Sequence, residues 1–189
     1  MTFSIRPATL SDIPALQRII ADSSRGLGRE DYTMEQIEAA LGTAWGVDSQ
    51  LIADATYFAV EAAGEIVACG GWSRRRTLFG ADGRAGRESG LLDPARDAAK
   101  IRAFFVRPDW ARKGIGRALV ERCELEAAAC GFTALELMAT LPGRRLYEAC
   151  GYRAGPPIQY PLAGNLTIEF VPMRKDAGRR HLRPRRQRA

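Results

Sequence analysis

A basic, glycine-containing segment past the middle of the chain has the residue types of a phosphate-binding loop. The string Arg112-Lys-Gly-Ile-Gly-Arg117 follows a short apolar run at residues 101–106 and precedes apolar residues at helical spacing. A strand, a turn and a helix in this order present the unpaired N–H groups of the first helical turn, and the positive end of the helix dipole, to an anion. Gly114 and Gly116 lack a Cβ, so we expect a phosphate to approach the backbone closely there.

A second segment of interest surrounds a tyrosine further along the chain. Tyr147 lies in Arg144-Arg-Leu-Tyr-Glu-Ala-Cys-Gly-Tyr152, directly after an alternating pattern at residues 135–139 that predicts a strand. The single histidine, His181, lies near the C-terminus. The body of the chain therefore contains neither a histidine metal site nor a Ser-His triad, and we expect no metal.

Two common phosphate-binding motifs do not fit the loop. A P-loop requires Gly-x-x-x-x-Gly-Lys-Ser/Thr, which does not occur, and a dinucleotide fingerprint requires a third glycine where Leu119 stands. The loop instead resembles the pyrophosphate loop of the GNAT N-acetyltransferase superfamily, Gln/Arg-x-x-Gly-x-Gly/Ala after the fourth strand. Ala111 replaces that family's Gln/Arg, with Arg112 beside it. We expect a weakened contact there, because the loop binds phosphate mainly through main-chain N–H groups. A plain helix start with flexible glycines is the alternative.

The Tyr147 segment is similar to the closing signature of the same family, Tyr-Glu-x-x-Gly-Phe/Tyr, and the resemblance spans residues 3–173. It implies transfer of the acetyl group of acetyl-CoA to a primary amine of a small molecule, with Tyr147 as general acid. It also implies a fourth strand that separates from the fifth, with a backbone N–H near Val106 as oxyanion donor. The cofactor-binding residues that it implies are Phe105, Val106, Arg112, Lys113, Gly114, Ile115, Gly116 and Arg117.

The acceptor and the general base stay open at this stage. Acceptor contacts are expected from Arg25, Tyr32 and Arg74, with arginines pairing to a carboxylate or phosphate, although a solvated basic loop is the alternative. The candidate bases are Glu61, Glu88, Asp97 and Glu136. A protein acetyltransferase acting on an N-terminal amine or a lysine, a non-catalytic acyl-CoA sensor, and use of another acyl-CoA are the other functions to consider.

Composition predicts one domain at residues 1–173 and a basic, disordered tail at residues 174–189. The formal net charge of +6 comes from that tail, which holds eight Lys or Arg and one Asp; the remaining residues hold 20 basic and 21 acidic side chains. We therefore expect nucleic acid to bind weakly at most, through the tail. There is no long apolar run or signal-peptide pattern, and the four cysteines lack metal-ligand spacing. We expect reduced thiols, a cytoplasmic location and no membrane contact. The resemblance leaves a homodimer open.

The hydrophobic patterns predict an α/β fold with a mixed sheet. Apolar spacing indicates a helix from Ser11, and Thr33 with Gln36 forms a capping-box signature for a second helix. Apolar runs around Ala63-Gly64 indicate a hairpin. Residues 73–98 show no periodicity and predict a long loop. The predicted order is β-α-α-β-β-β-α-β-α-β-β, the order that the family resemblance implies.

Overall fold

The computed structural model describes residues 2–176, which form one mixed sheet with helices on both faces. The strands are β1 (Ser4–Pro7), β2 (Tyr57–Ala62), β3 (Glu65–Ser73), β4 (Ala99–Val106), β5 (Ala134–Thr140), β6 (Arg153–Ala154), β7 (Ile158–Pro161) and β8 (Thr167–Asp176). The helices are α1 (Ile13–Gly28), α2 (Met34–Ala40), α3 (Ser49–Ala53), α4 (Ile115–Ala129) and α5 (Leu141–Ala149). The predicted fold class is confirmed.

The strand order is β1-β2-β3-β4-β5-β8-β6, and β7 also pairs with β8. Among the paired strands of the described chain, β4 and β5 are parallel and the other pairs are antiparallel. Two elements are absent from the predicted order, α3 and β7. Helix α3 has five residues, too few for a periodic pattern. It begins where the Asp48 carboxylate accepts a hydrogen bond from the Gln50 N–H at 3.1 Å.

Two local predictions are confirmed in atomic detail. The Thr33 hydroxyl accepts a hydrogen bond from the Gln36 N–H at 3.2 Å, and the Gln36 side chain accepts one from the Thr33 N–H at 2.9 Å. In the β2–β3 hairpin, Ala63 and Gly64 both have positive φ angles, 52° and 81°. This is the conformation of a type I′ turn, whose twist matches the twist of the paired strands.

The sheet divides the core into two hydrophobic clusters. Val60 and Ala68 belong to the cluster that includes α4 residues such as Leu119. Their strand neighbours Ala59 and Cys69 belong to the cluster that includes α1 and α2. Alternation along β2 and β3 therefore places α1 and α2 on one face of the sheet and α4 and α5 on the other.

The centre of the sheet opens between β4 and β5. These strands pair only at Ala99 with Leu135 and at Lys100 with Glu136. Beyond that point each strand stays paired to its outer neighbour, β3 or β8, but not to the other. The separation implied by the family resemblance is thus present, and it leaves a gap in the sheet toward the C-terminal ends of the two strands.

A bulge in β4 faces this gap. Ala103 has a φ of 54°, and the β3–β4 register shifts between Cys69 and Gly71, so Ala103 and Phe104 oppose the single residue Gly70. A Cβ on Gly70 would lie 2.7 Å from the Phe104 ring, which only glycine avoids. The bulge bends β4 next to the gap and directs the Phe104 side chain toward α5.

The long connection between β3 and β4 is folded against the domain and is not an open loop. Arg75 donates to the Asp54 carboxylate at 2.6 Å and 2.8 Å, and its backbone forms an isolated bridge with Leu91. Asp48, fully buried, forms ion pairs with Arg102 of β4, at 2.8 Å, and with Arg87 of the connection. These charged pairs fix a segment that has no apolar periodicity of its own.

The predicted domain boundary at residue 173 falls inside strand β8. Strand β8 continues through Arg174, Lys175 and Asp176, which pair with β5. Lys175 also donates to the Glu124 carboxylate of α4 at 2.7 Å. The remainder of the predicted tail, residues 177–189, lies outside the described residues. No helix in the described part of the chain is long and apolar enough to cross a membrane.

Candidate active site

A cleft of about 970 Å³ passes through the gap between β4 and β5. One end is lined by the loop before α4 and by the start of α5, and the other end by residues from α1, from the segments before and after α2, and from the long connection. Tyr147 and the bulged segment of β4 line the middle. The cleft therefore connects the two sequence motifs that predicted chemistry.

At the first end, the backbone before α4 is curled by residues with left-handed conformations. Arg112 has a φ of 63° and Gly114, the N-cap of α4, has a φ of 84°. No side chain caps this helix end, so the N–H groups of its first turn are available to a ligand in the cleft. Left-handed residues that alternate with right-handed ones curl the backbone, so that successive N–H groups form a concave array that suits an anion.

The structure places seven of the eight predicted cofactor residues in the cleft. These are Phe105, Val106, Arg112, Gly114, Ile115, Gly116 and Arg117. The exception is Lys113, whose ammonium lies 4.7 Å from the centre of the Trp110 ring. Glycine at position 116 has a structural reason beside the predicted one. A Cβ there would lie 2.9 Å from the Leu146 side chain, so glycine allows α4 and α5 to approach each other.

Tyr147 lies on α5 in the middle of the cleft. Its side chain is 7% exposed and packs edge-on against Phe104, with ring centres 6.1 Å apart. Burial raises the pKa of Tyr147 above its ordinary value. The phenol is therefore protonated throughout the neutral range, as a proton donor must be. The same low-polarity surroundings would disfavour an unprotonated thiolate beside it.

The Val106 N–H points into the gap. The following residue, Arg107, donates its N–H to Val67 of β3 at 2.9 Å, and successive N–H groups of a strand point to opposite edges. The Val106 N–H accordingly faces away from β3, where it donates to the Ser23 hydroxyl of α1 at 3.2 Å. The predicted oxyanion donor thus faces the gap, with a buried serine beside it that the sequence did not indicate.

The predicted acceptor residues are not brought together. Tyr32 lines the cleft, but its hydroxyl donates to the Glu169 carbonyl at 2.7 Å and accepts from the Leu141 N–H at 2.8 Å. Arg25 pairs with Glu38 at 2.6 Å on the exposed faces of α1 and α2. Arg74 is exposed at the start of the long connection and does not line the cleft. No arginine of this set is available there for an anionic acceptor.

The four candidate bases also lie away from the cleft. Glu61 accepts from Arg6 at 2.7 Å, Asp97 accepts from the Asp93 N–H at 2.8 Å, and Glu136 pairs with Lys100. None of these, nor Glu88, lines the cleft. The carboxylates that line it are Glu30, Asp31 and Glu148. Glu148 belongs to the Tyr147 signature segment, whereas Glu30 and Asp31 lie in no motif that would mark them as site residues.

Comparison with known proteins identifies the family. The model of the acetyltransferase (GNAT) family matches residues 17–152, and the chain belongs to this family. No curated protein matches the sequence. Within residues 2–176 no group of three His, Cys, Asp or Glu side chains is arranged to hold a metal ion.

Solved structures share the fold at low sequence identity. A GCN5-related N-acetyltransferase from Rhodopseudomonas palustris has a TM-score of 0.69 at 21% identity, with 93% of this chain and 96% of that chain covered. The PaiA N-acetyltransferase from Thermoplasma acidophilum, in complex with coenzyme A, has a TM-score of 0.64 at 13% identity, covering 93% and 99%. YncA from Salmonella typhimurium, solved with its cofactor acetyl-CoA, has a TM-score of 0.62 at 16% identity, covering 97% and 98%.

Proposed function

We propose that this protein transfers the acetyl group of acetyl-CoA to the primary amine of a small molecule. The observation that carries the proposal is the continuity of the cleft. The uncapped start of α4, Val106 and Tyr147 all line this one cleft, which passes through the gap in the sheet. Membership of the acetyltransferase family and the coenzyme A and acetyl-CoA bound by two structural neighbours support the choice of donor.

The donor would lie along the cleft in one orientation. Its pyrophosphate would accept hydrogen bonds from the first turn of α4, with the positive charges of Arg112 and Arg117 nearby. The pantetheine arm would extend along the free edge of β4 at Phe105 and Val106. The carbonyl oxygen of the acetyl thioester would then reach the Val106 N–H, which faces into the gap.

The chemical step is a direct attack on the thioester. The neutral amine nitrogen forms a bond to the carbonyl carbon, and the negative charge that develops on the oxygen is stabilised by the Val106 N–H. The carbon–sulfur bond then breaks, the nitrogen loses its proton to solvent, and Tyr147 donates its proton to the sulfur. Solvent reprotonates Tyr147, so the products are the amide and the thiol of coenzyme A.

Calorimetric titration of acetyl-CoA into the full chain, with dephospho-coenzyme A as a comparison ligand, tests the donor site. We expect saturable binding, and release of free thiol when amines are added. Variant Arg117→Ala should bind acetyl-CoA more weakly, since it removes one positive charge beside the pyrophosphate position. Absence of binding by the unmodified chain would refute the proposal, and acetylation of a peptide but no small amine would shift it to a protein acceptor.

A further inference from the structure

The end of the cleft away from α4 has an aromatic wall formed by Trp45, Phe79 and Phe170. Phe170 lies between the other two, with ring centres 6.4 Å from Trp45 and 5.5 Å from Phe79. All three residues line the cleft. They come from the segment after α2, the long connection and β8, so no stretch of sequence contains more than one of them.

The aromatic wall is held in place from behind. The Arg84 guanidinium lies 4.3 Å from the centre of the Phe79 ring, and its Nη1 donates to the Phe79 carbonyl at 2.9 Å. Tyr160 packs edge-on against Phe79 at 5.0 Å. Neither Arg84 nor Tyr160 lines the cleft. Arg84 and Tyr160 therefore fix the Phe79 ring from behind, while the half-buried ring lines the cleft. Phe79 thus offers a ligand a preorganised apolar surface.

The charges at this end of the cleft are negative. Glu30 and Asp31 are exposed, line the cleft, and have no ion-pair partner within residues 2–176. Tyr32, the next residue in the sequence, packs on Trp45 with ring centres 5.7 Å apart, so the segment that carries the two acidic residues meets the aromatic wall. Arg84 and Arg102 are nearby cations: Arg84 lies behind Phe79 and outside the cleft lining, and Arg102 is engaged by Asp48 at 2.8 Å and by the Gly80 carbonyl at 2.7 Å.

We propose that this end binds a primary amine carried on an aromatic or similarly apolar body. The ring of the acceptor would pack on the aromatic wall, and its ammonium group would enter past Glu30 and Asp31 before losing a proton to water. Apolar contact and charge attraction then favour the same ligand, whereas an acceptor with a carboxylate beside its amine would be repelled. The inference rests on the proposed acetyl transfer and adds the class of acceptor to it.

Three amines test the inference with the full chain and saturating acetyl-CoA. They are 2-phenylethylamine, ethanolamine, which lacks the ring, and phenylalanine, which adds a carboxylate. We expect kcat/KM for 2-phenylethylamine to exceed both others by about tenfold or more, the effect of burying a ring-sized apolar group. Phe79→Ala should remove most of that preference by lowering kcat/KM for 2-phenylethylamine toward the value for ethanolamine.

Removal of the two negative charges of Glu30 and Asp31 provides a second test of the acceptor inference. The double variant Glu30→Gln/Asp31→Asn should raise KM for 2-phenylethylamine and reduce the discrimination against phenylalanine. Glu35→Gln removes a comparable exposed charge from α2 outside the cleft and should change neither value. If all three amines are turned over equally, the acceptor inference alone is overturned. The same holds if a chain that binds acetyl-CoA does not turn over 2-phenylethylamine. Failure to bind acetyl-CoA would instead overturn the proposed function.

A separate observation concerns Ser23, which is 6% exposed and lies in the cleft beside the free edge of β4. Its hydroxyl accepts the hydrogen bond of the Val106 N–H at 3.2 Å, in the position that a thioester oxygen would take. We infer that Ser23 is a second oxyanion donor. When the thioester oxygen accepts from Val106, the displaced hydroxyl is close enough to donate its own hydrogen to the same oxygen.

Substitution of Ser23 separates this role from a structural one. Ser23→Ala should lower kcat by about 10²-fold, the effect of losing one oxyanion donor, with little change in acetyl-CoA affinity. Ser23→Thr keeps the hydroxyl and should recover most of the lost rate. A kcat for Ser23→Ala equal to or above that of the unmodified chain would overturn the inference, as would equal losses in the alanine and threonine variants.

Discussion

At the scale of single residues, Tyr147 has the position and the protonation state that an acid needs. It is buried in the middle of the cleft, it contacts the bulged Phe104, and its pKa is raised by burial. The sequence motif could indicate the residue type, but not its surroundings. The depth of the phenol in the cleft supports a role in chemistry more than one in surface packing.

Replacing this hydroxyl should slow the reaction. We expect Tyr147→Phe to lower kcat by about 10²-fold or more, because a general acid contributes about 10²–10⁴-fold. The change keeps the ring against Phe104, so acetyl-CoA affinity should be preserved. Steady-state thiol release together with calorimetry measures the two quantities.

Tyr152→Phe is the matched control for this substitution. The Tyr152 ring lies 5.8 Å from that of Tyr147, and its hydroxyl is buried with no hydrogen-bond partner in the described part of the chain. Loss of that hydroxyl should leave kcat nearly unchanged. If Tyr147→Phe retains turnover within threefold of the unmodified chain, Tyr147 is not the acid.

At the scale of elements, the proposed phosphate site depends on how α4 begins. Gly114 has a φ of 84°, and a Cβ there would meet no other atom within 4 Å. The conformation, and not the space, is therefore what requires glycine. Ala111 is extended at the end of the preceding 3₁₀ turn, so its missing polar side chain leaves the curl of the backbone unaltered.

Gly114→Ala should weaken acetyl-CoA binding. A left-handed residue with a Cβ costs about 1–2 kcal/mol, and the chain can relieve the strain by rotating the N–H groups away from the ligand. We expect both a lower midpoint of thermal unfolding and a higher Kd for acetyl-CoA. Gly64→Ala introduces the same strain at a φ of 81° in the exposed β2–β3 turn. A rise in Kd for both variants would argue against a local role of the loop.

The long connection depends on a buried ion pair. The Asp48 and Arg102 side chains are 1% and 2% exposed, and Asp48 also pairs with Arg87. We expect Asp48→Ala to destabilise the domain by about 3–5 kcal/mol, because it leaves the buried Arg102 charge without its partner. Denaturant unfolding measures this loss. Glu38→Ala breaks the exposed pair with Arg25 and should have little effect, and a comparable loss there would contradict the argument.

At the scale of the whole molecule, strand β8 extends past the predicted domain boundary at residue 173. Residues 174–176 complete the pairing of β8 with β5, although their composition resembles that of the basic segment that follows. A chain that ends at Asp176 should unfold at the temperature of the full chain and bind acetyl-CoA equally. A chain that ends at Met173 loses three pairs of the β5–β8 ladder and the Lys175–Glu124 contact, and should unfold at a lower temperature. Equal thermal stability of the two truncated chains would return the boundary to residue 173.

Sequence alone determined the features whose causes are local. The Thr33 capping box, the Ala63-Gly64 turn, the amphipathic helix α1 and the glycine that begins α4 each depend on neighbouring residues, and all four were predictable. The order of the main elements followed from them. Short elements such as α3 and β7 were missed, because five or four residues cannot display a period.

The tertiary structure decided which distant side chains meet. Ser23 lies beside Val106 because α1 packs across β4, and the aromatic wall of Trp45, Phe79 and Phe170 exists because three separate segments converge on one end of the gap. The long connection follows its path through buried ion pairs whose partners are far apart in sequence. Contacts of this kind depend on the route of the whole chain, so spacing cannot reveal them. The glycine loop and the tyrosine of the proposed donor site could therefore be predicted from the sequence, whereas the residues of the proposed acceptor end could not.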